Sequence, residues 1–342
     1  MDETVGRATG GSGANGMVDL HVHYYTDAYL QAVESAPSTT VYRREHDGRF
    51  VCTWRSGVAL TVPQPHPGVE QRLELMDQSG IQTQVLSIPS PSTYFLEPQA
   101  ADTLSRQVNE DLSELCREYP GRFEALAALP MHDTDRALAV LDHALDALGM
   151  AGVMILTNID GVPLDHESFE PFWAAADEKG LLVYVHPTVP DAEHLDDFAL
   201  AIGVGFLGDT NLALARLAYS GVFERYPRIR WVFSHLGGTI PFMLPRLDNY
   251  YRQFPECRER APRMPSEYIK SLTFDTASSH RPAIKCAVDT LGLDRLVFGS
   301  DYPHVPGGVG PFIEAFTDVT GGRDGDEVMA GRARRLLSGE RI

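Results

Sequence analysis

Lysine is nearly absent from this 342-residue chain: Lys179, Lys270 and Lys285 are the only lysines among its 29 lysine and arginine residues. Set against 47 acids, these bases leave a formal net charge of −18. A surface so acidic repels phosphate backbones, which argues against nucleic acid as a partner. A small anionic substrate is still compatible, because one local pocket can carry the opposite sign. Cysteine is scarce as well. Cys52, Cys116, Cys257 and Cys286 show no CxxC spacing and read as reduced, unpaired thiols of a cytoplasmic protein. No run of 18 apolar residues occurs, so no membrane span is expected. Residues 1–16 lack the apolar stretch of a secretory signal and read as a Gly-rich disordered leader, with Met17 as an alternative functional start. The GxGxxG spacing of the leader (GSGANG, 11–16) follows no strand-like segment and opens no helix, no GxSxG surrounds Ser300, and HLGG (235–238) lacks a phosphate-loop lysine. These gaps weigh against a dinucleotide-binding open sheet, a serine hydrolase and a phosphate loop.

What the chain does have is enough apolar material for a large core: 43% hydrophobic against 22% charged residues. The apolar runs recur with a regular beat. Eight strand-like segments read MVDLHVH (17–23), IQTQVLSI (81–88), GRFEALAAL (121–129), AGVMILT (151–157), LLVYVH (181–186), RIRWVFSH (228–235), SLTFDTA (271–277) and DRLVFGSD (294–301). Most are nearly continuous in apolar character, as strands covered on both faces are. Helix-like stretches separate them. Residues 104–119 place Leu104, Val108, Leu112 and Leu115 on one face, 134–149 begins with Thr134 as N-cap, and 168–180 runs from a Ser168 cap to Gly180. Eight alternations predict a (β/α)₈ TIM barrel of α/β class, with a doubly wound open sheet as the alternative. The expected organisation is one barrel domain over 17–342.

Two stretches break the beat. Residues 42–54 predict a small β-hairpin inserted after strand 1, turning at His46-Asp47-Gly48, within an insertion of about 36–66 that ends in a stiff connector at 62–68. A second excursion spans 254–268. Both are expected to wall a pocket, to cover it or to make dimer contacts; a merely decorative role is the rival reading of the second. The final residues, GDEVMAGRARRLLSGERI, predict a packing helix.

The informative polar residues fall at strand ends. His21 and His23 share one strand face by their i, i+2 spacing. His186 closes the fifth segment, His235 the sixth and Asp301 the eighth. In a barrel these five converge on the carboxyl-end mouth, where barrel enzymes place their sites. Burying imidazoles and a carboxylate together is costly unless a metal or hydrogen bonds compensate. Three histidines and an aspartate suit Zn²⁺ or another first-row divalent ion.

DLHVH, VHPTVP, SHLGG and FGSDYP, in this order, resemble the amidohydrolase superfamily. The closer likeness is to its metal-dependent, non-oxidative decarboxylases, such as those of aminocarboxymuconate semialdehyde, 6-methylsalicylate and hydroxybenzoates, over about residues 17–337. The resemblance implies His21, His23, His186 and Asp301 as metal ligands, with His235 and Asp301 as catalytic residues. It implies a mononuclear site, since the fourth strand, GVMILTN, carries no lysine to bridge two metals. It also marks Arg246 as a substrate contact reaching a neighbouring subunit, hence a homodimer or a dimer of dimers. The chain departs from the family's GNAxRL pattern with GRARRL, placing Arg332 where an asparagine is usual. Arg55, Trp54, Phe95, Tyr302 and His304 are further candidate substrate contacts, while His280 reads as a helix start.

The expected activity is cofactor-free decarboxylation of a small aromatic or unsaturated carboxylic acid, foremost an ortho-hydroxybenzoate. It would need one divalent metal ion (Zn or Mn) and no organic cofactor. The alternative is a hydrolase of a lactone, amide or imine that uses a metal-activated water.

Overall fold

A computed structural model of the chain describes residues 16–43, 48–55, 57–62, 66–190, 192, 194–305, 307–321 and 327–340. Residues 1–15 of the leader, the His46-Asp47 part of the expected turn and 63–65 of the connector lie outside the described residues.

Eight parallel strands form one sheet: β1 (Met17–His23), β2 (Ile81–Ser87), β3 (Phe123–Ala127), β4 (Gly152–Leu156), β5 (Leu182–His186), β6 (Arg230–Phe233), β7 (Thr273–Asp275) and β8 (Leu296–Val297). They pair in sequence order. The seam from β8 back to β1 is closed by backbone bonds: Leu20 N–H donates to Phe298 (3.0 Å), Asp301 N–H to His21 (2.8 Å) and His23 N–H to Tyr302 (2.7 Å). The sheet is therefore a closed barrel with helices between its strands, as the alternation predicts. The last strands are shorter than their apolar segments, so His235 and Asp301 stand on the loops just past β6 and β8 rather than in the strands.

The helices follow the expected faces with shifted starts. The helix Pro98–Glu118 begins before Leu104 because a proline fits its first turn. The helix Thr134–Asp146 is capped by Asp133, not Thr134; the Asp133 carboxylate accepts from Arg136 N–H at 3.1 Å. A 3₁₀ turn at Glu167–Phe169, capped by His166, takes the place of a Ser168 cap before Glu170–Lys179. His280 does stand at the start of the helix Arg281–Leu291. The C-terminal packing segment is a helix over Arg332–Leu337, entered through a π turn, and Arg332 donates to the Leu293 carbonyl.

The inserted hairpin acquires a third strand, giving an antiparallel sheet of Thr39–Arg43, Phe50–Trp54 and Gly57–Val62. The second excursion does not wall the mouth. It follows the helix Ile240–Gln253, which runs back from the mouth, and its Arg263 and Tyr268 line a hollow with Arg230 and Thr273, the amino ends of β6 and β7.

Candidate active site

β1 delivers two imidazoles to the barrel interior, both buried. His21 Nε2 lies 3.2 Å from His23 Nε2. Asp301 Oδ1 approaches these two nitrogens at 3.3 and 3.2 Å, yet it accepts no hydrogen bond. His186, at the end of β5, turns Nδ1 to the Pro187 carbonyl at 2.7 Å. Its Nε2 is left buried with no hydrogen-bond partner among the described residues. Ligand atoms of His21, His23, His186 and Asp301 all lie within 4.8 Å of one another. Imidazole nitrogens and a carboxylate oxygen crowded around one point are costly to bury, and a cation removes that cost. The N₃O donor set and the outward hydrogen bonds of His21 and His186 fit a divalent metal.

The electrostatics agree. Burial opposes charge on His21, but Asp275 and Asp301 outweigh it and push the imidazole up to about 10. Burial drives His23 down to about 3 and His186 well below the usual histidine range. For Asp301, the nearby His21 overcomes burial and holds the carboxyl well below the usual range.

His235 sits beside this cluster in an unusual backbone. Its φ is +54°, and Leu236, Gly237 and Gly238 follow at +58°, +73° and +67°. The two glycines adopt this region freely; His235 and Leu236 do so only where the surroundings hold them. His235 Nε2 lies 3.2 Å from Asp301 Oδ2, and Nδ1 lies 3.0 Å from Ser234 Oγ.

A cavity of about 360 Å³ opens from the cluster. His186, His235, Asp301 and His304 form its polar side; Ala59, Leu60, Ile202, Phe206, Leu207 and Leu236 form much of the rest. The inserted sheet is therefore one wall, as expected. His304 is tethered at both nitrogens, Nδ1 to the Thr61 carbonyl and Nε2 to the Tyr25 hydroxyl, each at 3.0 Å. Burial lowers its pKa.

The other candidate contacts lie elsewhere in this chain. Trp54 is buried in the inserted sheet with the Arg55 guanidinium 5.4 Å from its ring centre, and Arg55 Nε is 3.7 Å from Asp160. Phe95 packs edge-on to Tyr29, and Tyr302 lies under Arg72. Arg246 is exposed on the helix Ile240–Gln253, donating to Tyr250 Oη at 2.9 Å. None of these five lines the cavity, and among the described residues no arginine or lysine does.

Three groups escaped the sequence reading. Asp275, at the end of β7, accepts from His21 and shares its Oδ2 with the Tyr184 hydroxyl. Its signal was present: an acid interrupts the apolar run in SLTFDTA at the same strand-end position as the histidines. Asp19 is buried and accepts from the Ser300 hydroxyl (2.6 Å) and Ser300 N–H (2.9 Å), which pins β1 to the loop carrying Asp301. Burial nevertheless pushes its carboxyl up to about 7. Arg72 is also buried; it donates to the His23 carbonyl (2.7 Å) and Gln84 (3.1 Å) and lies between the rings of Tyr24 and Tyr302.

Comparison with known proteins places this arrangement. Residues 18–331 match the amidohydrolase family. A 2-amino-3-carboxymuconate-6-semialdehyde decarboxylase of Dictyostelium discoideum is 30% identical over 274 residues, covering 78% of this chain and 75% of its own. A gamma-resorcylate decarboxylase of Rhizobium sp. is 30% identical over 288 residues, covering 78% and 86%. A dihydroxybenzoic acid decarboxylase of Polaromonas sp., solved with bound manganese and the inhibitor 2-nitroresorcinol, shares the fold with a TM-score of 0.79. It is 23% identical, over 96% of this chain and 98% of that one.

Proposed function

Because this chain belongs to the amidohydrolase family, we propose that it is a metal-dependent, non-oxidative decarboxylase of a small aromatic carboxylic acid, with ortho-hydroxybenzoates as the leading class. The observation that carries this reading is the buried cluster of three imidazoles and one carboxylate on the floor of a largely apolar cavity. The decarboxylase names of its relatives support it.

His21, His23, His186 and Asp301 are the residues that would hold a divalent ion, manganese or zinc. When bound, the ion supplies Lewis acidity toward the substrate's oxygens. The apolar wall of Leu60, Ile202, Phe206 and Leu207 holds the ring and excludes water. The ring carbon that bears the carboxylate takes a proton from Asp301, whose Oδ2 is recharged by His235 Nε2 at 3.2 Å. The bond between that carbon and the carboxylate then breaks, its electron pair returns to the ring as aromaticity is restored, and CO₂ departs. Asp301 ionises readily, so it holds the proton only in passing and His235 is its reservoir. The substrate's own hydroxyl makes the ring an electron sink, so no organic cofactor is required.

Exposed Phe242, Arg246 and Tyr250 recur every four residues along one helix. This supports a homodimer in which Arg246 reaches the neighbouring cavity and supplies a cation that no described residue of the same chain brings there. The free thiols support a cytoplasmic location.

A panel of hydroxybenzoates, lactones and amides, each with added Mn²⁺ or Zn²⁺, tests the activity. CO₂ release with retained aromatic product is expected. Hydrolysis without CO₂ would replace this reading with a metal-dependent hydrolase.

A further inference from the structure

We infer that Asp275 is a positioning residue that couples the metal-holding cluster to His235, one carboxylate oxygen serving each. Asp275 is buried at the end of β7. Its Oδ2 accepts from His21 Nδ1 at 2.7 Å and from the Tyr184 hydroxyl. Its Oδ1 accepts from the backbone N–H of His235 at 2.7 Å and of Ala277 at 2.9 Å. The first pair keeps the His21 proton on Nδ1, so Nε2 presents a lone pair to the cluster. The second pair holds the peptide leading into His235, whose left-handed backbone aims Nε2 at Asp301. Shifting Asp275 therefore moves a ligand and the proton reservoir together.

The neighbouring chain makes room for this. A Cβ on Gly299 would stand 2.7 Å from His21 Cβ and 2.9 Å from Asp275 Cβ. Only a glycine lets β1, β7 and the end of β8 close on one another tightly enough for the 2.7 Å contact.

The inference rests on reading the cluster as a metal centre, and the experiment separates the two. Mn²⁺ or Zn²⁺ affinity is measured by chelator competition on the full chain, without reference to turnover. In Asp275→Asn, the amide oxygen still accepts from the His235 and Ala277 N–H groups, but its NH₂ faces His21 and forces the wrong tautomer. Affinity is expected to fall about 10–100-fold. Asp275→Ala loses both arms, so at saturating metal its kcat should fall well below that of Asp275→Asn while KM changes little. Equal metal affinity in wild type and Asp275→Asn would overturn the inference, as would equal kcat in the two variants. Failure of the wild type to bind metal would instead defeat the metal-centre reading. A readout that needs no variant is the ¹⁵N-histidine spectrum of the zinc-loaded wild type. A slowly exchanging His21 Nδ1–H is expected, and a His21 protonated on Nε2 would overturn the assignment.

Discussion

Asp301 meets two demands with two oxygens: Oδ1 faces the histidines and Oδ2 faces His235. Asp301→Asn keeps the size and one acceptor but cannot carry the proton. It should retain part of its metal through the three histidines while kcat drops by at least about 100-fold. Metal content and steady-state kinetics check both halves, and full turnover would remove Asp301 from the chemistry. Arg72 makes the opposite kind of contribution. It is buried far from bulk water, bonded to the His23 carbonyl and Gln84. Arg72→Met should lower stability by about 3 kcal/mol in urea unfolding, since it leaves buried acceptors bare. The difference between these residues explains what the sequence could reveal. His21 and His23 announce themselves because a strand's period of two puts them on one face. Arg72 does not, because an arginine in the amphipathic helix Val69–Ser79 looks like any solvent-facing base until the fold buries it.

At the scale of elements, the inserted sheet does more than decorate β1. Its third strand starts at Gly57, where a Cβ would stand 2.5 Å from Ala201 Cβ and 3.1 Å from Val189 Cγ1. The sheet thus rests directly on the segment that leads into Ile202 and Phe206. Gly57→Ala should push the two walls apart, raising KM severalfold while metal content stays unchanged; a wild-type KM would show that the wall does not set substrate fit. The third strand was hard to read beforehand because VALTVPQP alternates poorly and ends in prolines. The 254–268 excursion misled for a different reason. Loops at the two ends of a barrel look alike in composition, and only the direction of the preceding helix tells them apart. Strand-end residues are legible because they interrupt apolar runs, which is why the histidines stood out and why Asp275 could have.

For the whole molecule, that no arginine or lysine among the described residues lines the cavity shifts attention to a second copy. Arg246→Ala subunits mixed with Asp301→Asn subunits should recover about a quarter of wild-type activity, since half of randomly paired dimers then hold one intact site. No recovery after exchange, with dimers present by sedimentation, would confine the site to one chain. The fold, closure included, was legible from eight apolar beats, but the pairing of residues across the seam was not, because the seam is made by backbone atoms that leave no mark in composition. That seam has a consequence in time. Leu20, His21 and His23 bond to Phe298, Asp301 and Tyr302, so the last ligand and the fastening of the hoop arrive in the same short stretch of chain. A polypeptide emerging amino end first displays three of the four residues that would hold the ion before β8 is made. It cannot complete the set until the segment that carries Asp301 is made, so the finished site and the closed hoop arrive together.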